Sequence, residues 1–207
     1  MPVLFLLLSM QLIAQQATSP DFSSIDRIMA SALKANTVPG AVVFIGHDGH
    51  VVFHKAYGNR STIPTPNAMT EDTIFDMASL TKPLATAVAV MQLYEQGKIG
   101  LNDAVAKYLP DFGVSGKQDI TIRQLLTHYS GLPPDLPLED PWSGKEEGFR
   151  RAFAIAPARP AGEQFVYSDI NFIVLGALVE KLSGLTLDEY TRRFIMEPLG
   201  LGHTRFL

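Results

Sequence analysis

The sequence predicts an α/β (α+β) protein, in which an antiparallel sheet flanked by helices adjoins a helical subdomain and the last strands of the sheet are missing from the chain. Three observations predict it. Apolar residues recur at helical spacing over 22–33 and through most of the chain beyond Leu80. Between these stretches, two runs apolar on consecutive positions, 41–45 and 51–53, flank His47-Asp48-Gly49, the pattern of a hairpin. Continuous apolar runs predict cover on both sheet faces, and an isolated hairpin is marginal with open edges that invite pairing, so the sheet needs strands that the rest of the chain does not supply.

Taken in order, residues 3–14 are almost wholly apolar, shorter than the roughly 20 residues that span a bilayer, and followed by the polar stretch 15–20. They read as a secretory signal with Ala14 or Ala17 at the cleavage site, although no Lys or Arg precedes the run; the alternative is a buried N-terminal helix. The expected organisation is therefore a leader at 1–17, an N-terminal helix and β-hairpin at 18–75, and a helical part at 76–207, in a secreted or periplasmic protein with no stable membrane span after cleavage. Asp21 or Ser23 can cap the first helix, whose apolar side is Phe22, Ile25, Ile28, Met29, Ala32 and Leu33 and which ends near Asn36, before Val38-Pro39-Gly40. After the hairpin, Leu84, Val88, Met91 and Leu93 mark a helix ending at Gly97. Thr121 caps a helix over 122–128, and Ser143 with Glu146 forms a capping box ahead of a helix around Phe149. The stretch 131–144 holds four of the 14 prolines and reads as a structured loop. A helix over 170–182 stops at Ser183-Gly184, and Thr186 with Glu189 is a capping box for the last helix, which Pro198 stops.

Of 207 residues, 46% are hydrophobic, enough for a sizeable core, which argues against disorder. Seventeen basic residues against 21 acidic ones, without a basic cluster, leave no electrostatic footprint for nucleic acid. The absence of cysteine excludes disulfides, thiol catalysis and a lipidated N-terminal cysteine. His47, His50 and His54 gather near the hairpin, but no carboxylate or cysteine completes a ligand spacing, so no metal or other cofactor is expected.

Chemistry concentrates at Ser79-Leu80-Thr81-Lys82. Ser-x-x-Lys spacing sets an amine one helical turn from a hydroxyl, and Pro83 marks a helix start there, because proline is tolerated in the first turn. Ser31-Ala32-Leu33-Lys34 has the same spacing inside an amphipathic helix, where Ser31 is an ordinary polar-face residue. A serine hydroxyl becomes a nucleophile when a base takes its proton, and a lysine can do so only when neutral. Desolvation and the positive end of the helix are expected to lower the Lys82 pKa, while the amides at that end favour an oxyanion.

The segment 75–83, FDMASLTKP, resembles the nucleophile segment of the serine β-lactamase and penicillin-binding protein superfamily. The segments EQGKIGLND (95–103), IRQLLTHYSGLP (122–133) and PAGEQFVYSDINF (160–172) are similar to those of its class C and esterase-like branch, including the family VIII carboxylesterases, in the same order. The resemblance implies a β-lactamase/transpeptidase-like fold and a serine hydrolase acting on a small ester, amide or peptide substrate. It implies Ser79 as the acylated nucleophile, Lys82 as its general base and Tyr167 as the phenol sharing the proton relay. Asp169 stands where the Tyr-x-Asn element has an amide, losing a donor and adding an acceptor, which argues for an esterase or peptidase over a specialised lactamase; it is the candidate substrate-binding residue. Asn171, two positions later, is not assumed to substitute. His128 is treated as scaffold. The family's third element, Lys or His followed by a small residue and Gly, has no match here, which implies lowered activity for the chain as it stands. The alternatives are a D-Ala-D-Ala carboxypeptidase or D-aminopeptidase, and a non-catalytic binding or scaffold protein.

Overall fold

The computed structural model describes residues 20–137, 139 and 141–206; the leader expected at 1–17 lies outside them. The chain divides into two compact units, Met1–Phe75 and Asp76–Leu207.

In the first unit, α1 (Ser23–Lys34) has Phe22 rather than Asp21 or Ser23 at the cap position, without a side-chain cap bond, while Asp21 Oδ1 accepts the Ser23 amide at 2.9 Å from one residue further out. Phe22, Ile25, Met29, Ala32 and Leu33 form its half-buried side, whereas Ile28, at the edge of that stripe, is exposed. Ser31 lies on the exposed face of α1. Strands β1 (Gly40–His47) and β2 (His50–Ser61) are joined by Asp48 and Gly49, whose φ values of 48° and 75° fit the left-handed turn that matches strand twist. The pairing runs antiparallel from Gly40 opposite Gly58 to His47 opposite His50, with a bulge between Ile45 and Gly46. A two-residue β3 (Asn67–Ala68) pairs antiparallel with β2. Helix α1 is pinned to β2 by Asp26 Oδ1, which accepts from Lys55 Nζ at 2.7 Å and Tyr57 OH at 2.6 Å, and by the Phe22 and Phe53 rings at 5.1 Å. The expectation of cover on both sheet faces is not met. No described residue up to Phe75 is buried, and Phe44 and Val51 are each 59% exposed, because the described residues of this unit offer the strands one helix to pack on.

The second unit opens with a 3-10 turn, Ala78–Leu80, a π-helical turn, Lys82–Thr86, and α2 (Ala87–Glu95). Next come α3 (Ile122–Leu126), α4 (Lys145–Ala154), α5 (Asp169–Ser183) and α6 (Leu187–Thr191), which runs on into a π-helical turn, Arg192–Met196. Helix α5 is apolar almost all round and packs against α2, α3, α4 and α6. Ile170, Val174, Leu175 and Leu178 are fully buried, each contributing about 1.5–3 kcal/mol by leaving water. Gly184, at φ 75°, closes α5 with the left-handed cap its sequence predicts.

Thr121 caps α3 as expected, and Gln124 completes with it a capping box that was not among those expected. The two expected boxes, of Ser143 with Glu146 and of Thr186 with Glu189, do not form. Helix α4 starts after Ser143, with Gly144 at the cap position and φ 90°. Thr186 occupies the cap position of α6, but the Leu187 amide is taken by Glu180 Oε1 at 2.9 Å, a carboxylate of α5.

Candidate active site

The turn that carries Ser79 is strained. Ala78 has φ 43°, a left-handed conformation costly for a residue with a Cβ, and Asp76 Oδ1 steadies it by accepting the Ala78 amide at 2.8 Å. The change from a 3-10 to a π-helical turn aligns Ser79 with the next turn, and Lys82 Nζ donates to Ser79 Oγ at 3.1 Å. Ser79 is exposed, while the Lys82 side chain is only 14% exposed.

Tyr167 and Asp169 reach this turn from a segment stitched to the loop after α3. The Gly162 amide donates to Tyr129 O at 2.7 Å, Val166 to His128 O at 2.9 Å and Asp169 to Pro134 O at 2.8 Å. The Ser168 hydroxyl donates to Pro133 O at 2.6 Å and makes no cap for α5. These bonds place the Tyr167 ring 5.0 Å from Lys82 Nζ and Asp169 Oδ1 2.7 Å from the same nitrogen. Asp169 Oδ1 is buried without an aligned hydrogen bond, so the contact is an ion pair by proximity.

The ion pair corrects one expectation. Burial is the largest influence on Lys82 and lowers its pKa, but Asp169 and Tyr167 together outweigh it, and the net shift is upward. Lys82 is held as an ammonium. Tyr167 moves the other way: the Lys82 ammonium first, then the Ser79 hydroxyl, draw its phenol below the usual tyrosine value.

His128, treated as scaffold in the sequence, belongs to the site. Its ring lies 4.6 Å from that of Tyr167, tilted by 30°, and 5.4 Å from Phe172. Nδ1 accepts the Ser168 amide at 3.1 Å and faces Asn171 Nδ2 at 3.2 Å, which places the ring proton on Nε2. Asn171, fully buried, accepts from Ser130 Oγ at 2.6 Å through Oδ1. It does not replace the missing amide at Asp169; it braces His128. Burial, then the Lys82 charge, lower the His128 pKa. The sequence sign of this role was the position of His128 just after α3 and before Gly131; the structure gives it a backbone φ of 61°.

An open cleft of about 540 Å³ runs past Ser79, Lys82, Tyr167 and His128, its remaining wall built of apolar side chains including Met77, Leu80, Leu126 and Phe172. Among the described residues no group of three or more His, Asp or Glu could hold a metal ion.

Solved structures share this arrangement of elements. A class C beta-lactamase superposes with a TM-score of 0.74 at 27% identity, covering 87% of this chain and 49% of its own. The hydrolase EstCE1, described as having promiscuous acyltransferase activity, superposes with a TM-score of 0.76 at 28% identity, over 86% of this chain and 51% of its own. An N-acetylmuramyl-L-alanine amidase of Bacillus subtilis (strain 168) is 31% identical over 210 residues, covering 92% of this chain and 47% of the amidase. The chain thus spans about half the length of these relatives. The profile described as Beta-lactamase matches residues 25–207, taking in the sheet of the first unit and every residue of the cleft, and the chain belongs to the beta-lactamase family.

Proposed function

We infer that the chain carries the nucleophile half of an acyl-serine hydrolase that cleaves esters or amides through an acyl-enzyme on Ser79. The observation that carries this reading is Lys82 Nζ lying between Ser79 Oγ at 3.1 Å and Asp169 Oδ1 at 2.7 Å, with the Tyr167 ring alongside. The Lys82 ammonium draws the Tyr167 phenol toward ionisation; with that proton released, Ser79 Oγ attacks the acyl carbonyl, its proton passes to the Tyr167 oxygen, and Tyr167 returns it to the departing alcohol or amine. Water then attacks the acyl-enzyme, gives a proton to Tyr167, and Ser79 leaves with it. Lys82 stays protonated throughout and stabilises the phenolate, so its role is electrostatic rather than that of the base the motif suggests. The apolar wall of the cleft suits an apolar acyl or leaving group. The apolar run at 3–14 supports an exported enzyme.

The test is labelling of the chain with a fluorophosphonate, read by mass spectrometry of the tryptic peptides. One adduct on Ser79, absent from Ser79→Ala, is the expected result; adduct formation that survives in Ser79→Ala rules out the nucleophile.

A further inference from the structure

We propose that Asp169 makes this cleft selective for acyl donors without negative charge beside the scissile bond, by cancelling the positive charge of Lys82 next to the nucleophile. The inference rests on the acyl-serine reading of Ser79 and narrows its substrate class to neutral esters and amides.

Lys82 and Asp169 are 2.7 Å apart, and Lys82 bridges to Ser79 Oγ at 3.1 Å, so the carboxylate lies no more than about 6 Å from the attacking oxygen. Asp169 Oδ1 is buried against the ammonium, yet the side chain remains 42% exposed, leaving its other oxygen open to solvent. As the first residue of the 15-residue α5, Asp169 sits where the partial positive charge of a helix end suits an acidic side chain. The charges acting on Lys82, Tyr167 and His128 come from within this cluster, Lys82, Tyr167 and Asp169. The pair therefore nearly balances, and a substrate carboxylate approaching Ser79 meets the open Asp169 oxygen without an unpaired cation to reward it. An exposed carboxylate oxygen also offers only an acceptor, which repels a substrate carboxylate or carbonyl and accepts from a substrate N–H or O–H.

The experiment compares para-nitrophenyl butyrate with the para-nitrophenyl monoester of succinic acid, similar in length and differing by a terminal carboxylate. The chain should favour the neutral ester, and Asp169→Asn should lower the neutral-to-anionic ratio of kcat/KM about tenfold, the effect of removing a unit charge at roughly 6 Å with an effective dielectric constant of about 40. Asp169→Ser, a second neutral variant, should shift the ratio in the same direction, and Asp169→Glu should retain it. In the unsubstituted chain, the rate with the anionic ester should not fall as salt rises, because no net positive charge at the site attracts it. A ratio unchanged in the neutral variants, or an anionic rate in the unsubstituted chain that falls steeply with salt, overturns the inference while Ser79-dependent turnover keeps the acyl-serine reading standing. Turnover that persists in Ser79→Ala defeats that reading, and the inference with it.

Discussion

Asp169, together with Tyr167, turns the fall in the Lys82 pKa that Ser-x-x-Lys spacing leads one to expect into a rise. The closeness of Ser79 and Lys82 is a local consequence of helical geometry and was legible, because both atoms belong to one turn. The direction of the Lys82 pKa shift was not, because its partners arrive from the segment that leads into and opens α5, and Asp169 at 2.7 Å together with Tyr167 outweighs the desolvation that the apolar surroundings supply. His128 escaped for a related reason: its contacts with Ser168, Asn171 and Tyr167 all cross from another segment. They make a testable demand. Burial and the Lys82 charge lower the folded-state pKa of His128 beneath the ordinary imidazole value of 6.5, so the unfolded chain binds the proton first. The stability from a neutral His128 is therefore complete above pH 6.5 and is lost as pH falls from there through its lowered folded-state pKa. Asp103 and Glu147, each held at about 2, release their contributions only in more acidic solution. Urea unfolding between pH 7.5 and 5 should show declining stability, with a shallower decline in His128→Asn, a residue that tolerates the φ of 61°. Parallel slopes, or stability that rises toward pH 5, would refute the assignment.

At the scale of elements, the helices followed their periodicity and their ends followed whichever amide acceptor lay nearest in space. Thr121 and Gln124 cap each other within one turn, so sequence spacing was sufficient for the Thr121 cap. Thr186 makes no side-chain cap, and the first amide of α6, Leu187, is instead bonded by Glu180 of a neighbouring helix, which no spacing within α6 records. The loop over 131–137 shows what the site asks of an irregular segment. It holds Ser168 and Asp169 through Pro133 and Pro134, and Gly131 O accepts the Ala158 amide at 2.9 Å. Gly131 has φ 78°, and a Cβ there would collide with the Arg159 carbonyl. Gly97 has φ 68° with nothing within 4 Å of a built Cβ, so it isolates the conformational cost. Gly97→Ala should cost about 1–2 kcal/mol, the penalty of the left-handed region alone. Gly131→Ala should exceed it by at least about 2 kcal/mol, because steric overlap adds to that penalty, and should slow Ser79 labelling as well. Chemical denaturation of both variants measures the difference; equal losses would show that the loop relaxes without disturbing its contacts.

For the whole molecule, the predicted class was read from two periodicities, and the structure shows how unequally they are used. Helical spacing in the second unit became a core, because α5 presents apolar residues on every side and α2, α3, α4 and α6 surround it. Consecutive apolar residues in β1 and β2 predicted equal cover, but cover depends on what else packs there, a property no strand carries in its own sequence. The consequence is a steep difference in local stability. Opening an amide in the middle of α5 exposes side chains such as Val174, Leu175 and Leu178, all fully buried, whereas opening the hairpin exposes nothing that water does not already reach in part. Hydrogen exchange should therefore find the slowest amides of Asp76–Leu207 in the second half of α5. It should find the β1 and β2 amides faster by about two orders of magnitude, the factor set by an opening difference near 2.7 kcal/mol. Ser79 sits between these extremes, on a strained turn whose far end leads into the buried face of α2, and its amide should exchange faster than those of Ala89 and Val90. Protection of the hairpin equal to that of α5 would mean that the first unit's stability comes from contacts other than burial of its own strands.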